Sequence, residues 1–244
     1  GTATGGPRYS HDPETLTPTG LYLEPAATNV IQQSHDVITG TAIQIETSSP
    51  LTDESLPFPH YRKIKSNSSN LVHVVRFNNG SLSANTNRCF TCFAKALKTG
   101  YNIQIRVSGI GANSGWATFD LNTGQIVYQS SLSGTTDSLN NTWSMGTPFI
   151  KKHRDGWYRI GLTNFTASDS YLFDVAIVKD DFTLEALNMF GAAHTDTSSD
   201  FTFGIWGGQV ESNAVPTSYI PTSGSQLTRA ADVYTSTANL TETF

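Results

Sequence analysis

Tyr101-Asn102-Ile103-Gln104-Ile105-Arg106-Val107-Ser108 alternates apolar and polar residues one for one. Successive side chains of an extended chain point to opposite faces, so this pattern predicts a strand buried on one face. Downstream, Phe119 and Leu121 lead into Asn122-Thr123-Gly124, and the alternation resumes with Ile126 and Tyr128. A short Gly-bearing connection between two such runs predicts a hairpin. Further strands are expected over 42–47, 71–77, 89–96, 157–163, 171–179 and 201–211. Only 182–190 suggests a helix, with Leu184, Leu187 and Phe190 three apart. Many strands separated by Gly, Asn and Ser turns predict an all-β fold, an antiparallel β-sandwich or a jelly roll.

The 244 residues are enough for one large all-β domain with a real core. No linker divides them: residues 1–6 read as a flexible lead-in, 7–235 as the domain and 236–244 as an exit segment. The proline-bearing stretch 47–59 (Pro50, Pro57, Pro59) reads as a long loop within the domain. Gly207-Gly208, inside a strand, predicts a bulge or a close backbone approach. The chain begins at Gly1 without a signal pattern or an initiator Met, as a processed or excised piece would.

Charged residues make up only 14% of the chain, where ordinary soluble domains carry roughly a quarter. Ser, Thr, Asn and Gly fill the deficit, which suits strands, turns and uncharged hydrogen-bonding surfaces. The net charge is -5, and the densest basic cluster is Lys151, Lys152, His153 and Arg154. A groove that tracked phosphates would need a basic stripe, so nucleic acid is not an expected partner. No apolar run of about 18 residues occurs, and no membrane insertion by a helix is expected.

Two cysteines stand in Cys89-Phe90-Thr91-Cys92. No second pair completes a tetrahedral zinc site. Redox chemistry would require the motif to open a helix, whereas its neighbours suit a strand. Positions i and i+3 of a strand face opposite ways, so two separate thiols are expected, at least one of them buried. Gly109-Ile110-Gly111-Ala112-Asn113-Ser114-Gly115 approaches a dinucleotide loop but runs into strand-like Trp116-Ala117-Thr118-Phe119. Without a helix N-terminus to meet a pyrophosphate, the stretch is a turn. No G-x-S-x-G elbow occurs, and the six histidines mark no base beside a nucleophile.

Three further blocks belong together. The first runs from Pro7-Arg8-Tyr9-Ser10-His11-Asp12-Pro13 to Gly20-Leu21-Tyr22-Leu23-Glu24-Pro25-Ala26-Ala27-Thr28-Asn29-Val30, and the second is Gly156-Trp157-Tyr158-Arg159-Ile160. The third is Ile205-Trp206-Gly207-Gly208-Gln209-Val210-Glu211, with Pro216-Thr217-Ser218-Tyr219-Ile220-Pro221-Thr222 and Thr228-Arg229-Ala230-Ala231-Asp232-Val233. In order and spacing, over residues 7–233, the chain resembles a family of bacteriophage virion proteins, chiefly tail-fibre and other surface proteins. Their domain is similar to concanavalin A-like (LamG-like) lectins and glucanases. The resemblance implies a two-sheet antiparallel β-sandwich, a concanavalin A-like jelly roll, on the virion surface, with glycan binding as the common but not universal role. The charges in these blocks (Arg8, Glu24, Arg159, Glu211, Arg229 and Asp232) are expected to pair where the termini meet. Trp157 and Trp206 are expected in the sandwich core.

Glucanases of this kind carry an alternating Glu-x-Asp-x-x-Glu cluster along one strand, and no such cluster occurs here. The nearest acidic groups are Asp53-Glu54, Asp180-Asp181 and Asp196 with Asp200. A glycosidase needs two carboxyl groups flanking the bond, so no catalytic residues are assigned and no enzyme activity is expected. No cofactor is expected. Were Ca²⁺ held in loops, as lectin-like sandwiches often hold it, Asp180, Asp181, Asp196 and Asp200 would be the donors.

A glycan site needs an aromatic face for sugar C–H groups and amides for sugar hydroxyls. Asp137, then Ser138-Leu139-Asn140-Asn141-Thr142-Trp143-Ser144, has that mix in a stretch without alternation. Asp137, Asn140, Asn141 and Trp143 are the expected glycan-binding residues, and 111–116 with Asn113 is a second candidate. Binding there would be weak and salt-tolerant, since stacking and neutral hydrogen bonds are hardly screened.

The expected function is a non-catalytic virion surface module presenting loops to a host-surface carbohydrate. One alternative is a capsid or tail structural or decoration protein that binds only neighbouring virion proteins; another is a carbohydrate-binding module of a secreted enzyme. A homotrimer is suggested by analogy with fibre proteins alone.

Overall fold

The computed structural model describes residues 9–12, 15, 17–34, 42–43, 45–52, 60–77, 86–109, 114–129, 145–166, 171–181 and 196–233. The first strands are β1 (Tyr9–His11), β2 (Pro18–Leu21), β3 (Ala27–Asn29), β4 (Ala42–Ile43), β5 (Ile45–Thr47), β6 (Leu51–Thr52), β7 (His60–Ser66) and β8 (His73–Phe77). Next come β9 (Arg88–Ala96), β10 (Tyr101–Gly109), β11 (Ser114–Asp120), β12 (Gln125–Gln129) and β13 (Met145–Lys152). The last are β14 (Trp157–Phe165), β15 (Tyr171–Lys179), β16 (Phe203–Glu211) and β17 (Leu227–Arg229).

One sheet has the order β12-β11-β10-β15-β8-β4, and the other β13-β14-β9-β16-β7-β5, with β6 also on β7. Two ribbons, β1–β2 and β3–β17, complete the described strands, and the pairings are antiparallel. The protein is an all-β antiparallel sandwich, as the alternation predicts. The chain crosses between sheets at β4–β5, β7–β8, β8–β9, β9–β10, β12–β13, β14–β15 and β15–β16. Central neighbours such as β10 with β15, or β9 with β16, are therefore remote in sequence.

The facing sheets share one core. Phe90, Cys92 and Ala94 of β9, Ile160 and Leu162 of β14 and Phe203, Ile205 and Val210 of β16 meet Ile103, Ile105 and Val107 of β10. Phe173, Val175 and Ile177 of β15, Val75 and Phe77 of β8 and Phe119 of β11 complete it. The hairpin expected after Phe119 is the β11–β12 turn. Asp120 caps it, accepting from the amides of Asn122 at 2.8 Å and Gly124 at 2.8 Å, and Gly124 takes φ 72°.

Gly207-Gly208 makes both expected features. The β9–β16 register shifts between Trp206 and Gln209, and Gly207 has φ 66°. A Cβ on Gly208 would stand 2.4 Å from the Phe77 ring. The bulge also resets the side-chain parity. Ile205 and Val210 both face the core, while Trp206, Gln209 and Glu211 share the outward face.

Trp157 and Trp206 correct the sequence reading. Both are buried, at 1% and 0% exposure, yet neither lies between the sheets. With Phe93 they form a second aromatic cluster on the outward face of the seven-stranded sheet, joined by Tyr61 and Tyr219. Trp206 stacks on Phe93 at 4.4 Å between centroids, and the Tyr219 edge meets it at 4.9 Å. Strand parity decides this: Ile160 and Leu162 point inward, so Trp157 and Arg159 point out.

Two longer strands, β7 and β13, arise where the sequence suggested none, as do the short β1, β2, β3 and β17. Lys63 and Lys65 flank Ile64, the buried apolar residue of β7, and this hides its alternation. Pro148 lies within β13, which is tolerated because, among the described strands, β13 ends the sheet order and pairs with β14 alone. The stretch 47–59, read as a loop, contributes β6, and 53–59 lie outside the described residues. So do the lead-in 1–6, the exit segment 236–244 and the helix-like stretch 182–190.

Cys89 and Cys92 are free and both buried, Cys92 in the core and Cys89 on the opposite face. Burial pushes both thiols up, with the Glu211 carboxylate adding to the effect at Cys89. Native protein should therefore resist a thiol reagent at neutral pH, and urea-unfolded, unreduced protein should react twofold. A single reactive thiol, or none, after unfolding would contradict this arrangement.

Candidate functional site

The outward face of the seven-stranded sheet carries segments from near the two ends of the described chain, 22–34 and 217–232. Asn29 fastens them together. Its Nδ2 donates to the carbonyls of Gly208 at 3.2 Å and Ile220 at 2.8 Å, and its Oδ1 accepts from the amides of Ile31 and Val210, each at 3.1 Å. Ser34 and Thr222 exchange hydrogen bonds, the Ser34 amide to Thr222 Oγ1 at 3.0 Å and the Thr222 amide to Ser34 Oγ at 2.8 Å. Glu24 accepts from the Tyr22 hydroxyl at 2.8 Å, the Ser218 amide and Arg229 Nη1. Desolvation raises the Glu24 carboxyl, but these hydrogen bonds and the Arg229 charge outweigh it and hold the group below its ordinary range. Asp232 accepts from the Glu24 amide at 2.9 Å.

Arg159 and Glu211 lie deepest. Arg159 donates from Nε to Thr91 Oγ1 at 3.0 Å and from Nη1 to the Thr217 carbonyl at 2.5 Å, and it lies over the Phe93 ring at 5.5 Å. Glu211 is 3.8 Å from Arg159 Nη2, an ion pair longer than a hydrogen bond. Its carboxylate accepts from Gln209 Nε2 at 2.5 Å and from the Thr217 amide and hydroxyl at 3.0 and 2.5 Å. Of the charges expected to pair at the termini, Glu24 pairs with Arg229 and Glu211 with Arg159, Asp232 accepts from the Glu24 backbone amide, and Arg8 lies outside the described residues. The cluster is an internal fastening, with its acceptors committed to the chain itself.

A different arrangement crosses the outward face of the six-stranded sheet. In the strand register Trp116 lies opposite Arg106, Arg106 opposite Asp174, and Asp174 opposite Arg76. One row thus spans β11, β10, β15 and β8. Asp174 is fully buried and both its oxygens accept. Arg76 donates from Nε at 2.8 Å and Nη2 at 3.3 Å, while Arg106 donates from Nε at 3.1 Å and from Nη2. The Arg76 and Arg106 side chains keep 26% and 23% of their surface in solvent, and Trp116 is half-buried. In the next row Gln104 Nε2 donates to Thr118 Oγ1 at 2.9 Å, both fully buried, with half-buried Tyr128 opposite Thr118. The outward face is closed at Gln104 and reaches solvent at the arginines.

Two planar forks held on one buried carboxylate, next to an indole, suit recognition of an anion or a sugar face. They do not suit proton transfer, since both Asp174 oxygens are already engaged.

The expected glycan residues Asp137, Asn140, Asn141 and Trp143 lie outside the described residues, as does Asn113 of the second candidate stretch. Trp116 of that stretch stands in the row. Of the expected calcium donors, Asp196 accepts from the Tyr101 hydroxyl at 2.8 Å and the Ser198 amide at 2.9 Å. Asp180 and Asp181 are exposed at the end of β15, close enough to raise the Tyr101 phenol beyond the effects of burial and Asp196. Asp200 is exposed. Among the described residues no group of three His, Cys, Asp or Glu side chains is placed to hold a metal ion.

Arg76, Arg106 and Asp174 were not singled out by motif. A lone Asp within Tyr-Leu-Phe-Asp-Val-Ala-Ile-Val is the one signal that could have found them, because an acid inside an apolar strand needs a partner. No model of a known protein family matches the chain, and no curated protein does.

Proposed function

We propose that the protein is a non-catalytic virion surface module of the tail-fibre kind that binds a host-surface glycan. On this reading the sandwich is a concanavalin A-like jelly roll, and the ligand lies on the outward face of the six-stranded sheet. The observation that carries it is the row Trp116–Arg106–Asp174–Arg76, a rigid aromatic and hydrogen-bonding surface that reaches solvent. Asp137, Asn140, Asn141 and Trp143 remain the proposed loop contribution. No catalysis is assigned, and the virion assignment rests on the family resemblance.

The rival reading, a structural or decoration protein, is favoured by apolar side chains beside the terminal fastening. Leu23 and Val233 are 54% and 87% exposed, and Leu21 and Leu227 are exposed as well. Sedimentation of purified protein with host cells or their surface polysaccharide tests the two. Binding is expected, with Trp116→Ala weakening it at an unchanged unfolding midpoint. Protein that assembles onto virions yet binds no host polysaccharide would overturn the glycan reading in favour of the structural one.

A further inference from the structure

The strands that end the two sheet orders differ in how they meet solvent. As described, β4 has two residues and β5 three, with Glu46 of β5 bridged to Lys65 at 3.0 Å, while β13 carries Pro148, Lys151 and Lys152. Short length, charge and proline each discourage a second chain from pairing with an edge. β12 has none of the last two and is longer than β4 or β5. Its residues, Gln125-Ile126-Val127-Tyr128-Gln129, are uncharged and rich in β-branched and aromatic side chains. Among the described strands β12 ends its sheet order and pairs with β11 alone. All its residues but Tyr128 are exposed, Ile126 and Val127 keeping 43% and 42% of their surface in solvent. We infer that β12 is an interaction surface on which a second copy of this chain pairs, antiparallel, through its own β12.

The residues of the strand select its own copy as the occupant. A twofold axis through Val127 sets Gln125 opposite the second copy's Gln129, Ile126 opposite its Tyr128, and Val127 opposite Val127. A β-branched residue facing an aromatic one is a favourable cross-strand pair, and facing side-chain amides hydrogen-bond to each other. A charge on the axis would meet and repel itself; β12 has none, although the chain carries -5 in net charge. The axis stands perpendicular to the sheet, so both copies turn the outward face of their six-stranded sheet to the same side. The shift in the β11–β12 register between Thr118 and Phe119 falls at Val127, and such a bulge interrupts regular pairing. The contact is therefore short, smaller than a permanent dimer requires, and the association is weak and concentration-dependent. It stands apart from the glycan reading, because β12 supplies no residue to the row through Arg106.

Sedimentation velocity of the full chain, from about 1 µM to about 0.5 mM, provides the test. The mass should rise with concentration from 26.4 kDa towards that of a pair, without larger species. Val127→Lys sets two ammonium groups against each other on the axis and should weaken association about tenfold, with the unfolding midpoint close to that of the parent. Gln125→Lys combined with Gln129→Glu places each introduced cation opposite an introduced anion, and should tighten association about threefold in a salt-dependent way. A chain that stays monomeric throughout, or forms trimers, would overturn the inference. So would association untouched by Val127→Lys, which would place the contact elsewhere, such as the exposed leucines beside the terminal fastening. Unchanged or weaker association of the double variant would overturn the antiparallel register. Should Val127→Lys fail to fold, the double variant, altered at two exposed positions, still decides. Host-cell sedimentation judges the glycan reading separately, whichever way the copies associate.

Discussion

Glu211→Ala should destabilise the protein by about 3–5 kcal/mol, the usual cost of removing one partner from a buried ion pair. Total stabilities of native domains are about 5–15 kcal/mol, so the variant would lose a large share. The reason is Arg159, only 7% exposed and anchored by Thr91 and the Thr217 carbonyl. Burial already pulls this guanidinium down from its ordinary range, and the Glu211 charge opposes that pull. Without Glu211 the cation stays in place, desolvated, while the Thr217 amide loses its acceptor and Gln209 Nε2 its shortest one. Urea unfolding followed by tryptophan fluorescence would measure the loss. The double variant Glu211→Leu with Arg159→Met should recover much of it, because a pair replaced by apolar residues leaves no buried charge. A double variant as unstable as the sum of its singles would show the two side chains to be uncoupled.

Trp206→Ala should cost a similar amount, about 3–5 kcal/mol, through lost burial and the cavity left behind. Trp206 is fully buried, stacked on Phe93 and edged by Tyr219, and the replacement removes the indole that both rings pack against. Its place on the outward face predicts where the damage appears. Amide exchange should rise first around 217–222, where Tyr219 docks, and later in β10 and β15, whose core faces Trp206 does not touch. Equal and simultaneous loss of protection in β10 and β15 would mean that the outer cluster and the inter-sheet core unfold as one unit.

Much of the architecture is written in local pattern. The run 101–108 predicts β10 because alternation is a property of neighbouring residues and needs no tertiary information. The same holds for the turn at Asn122-Thr123-Gly124, for the opposite facing of Cys89 and Cys92, and for the break at Gly207-Gly208. Where pattern is weak the strands went unseen. In β7, Lys63 and Lys65 surround the buried Ile64, and β13 carries Pro148 and Gly146.

The row across the six-stranded sheet belongs to the other kind of fact. Arg106 and Trp116 are legible as residues on outward positions of two expected strands, but Arg76 and Asp174 become their neighbours only when β8 and β15 take their places and registers beside β10. A slip of one residue in either pairing would turn its charge towards the core, and no local signal sets that register. The tryptophans follow the same rule. Sequence alone determined that Trp157 and Trp206 are buried in strands, since large aromatics in such blocks seek cover. Only the tertiary structure decided which side they cover, because the outward face of the seven-stranded sheet is closed by segments around Asn29 and Tyr219. Alternation gives a strand two faces and a sequence gives them their chemistry; what lies over each face is settled by long-range packing alone.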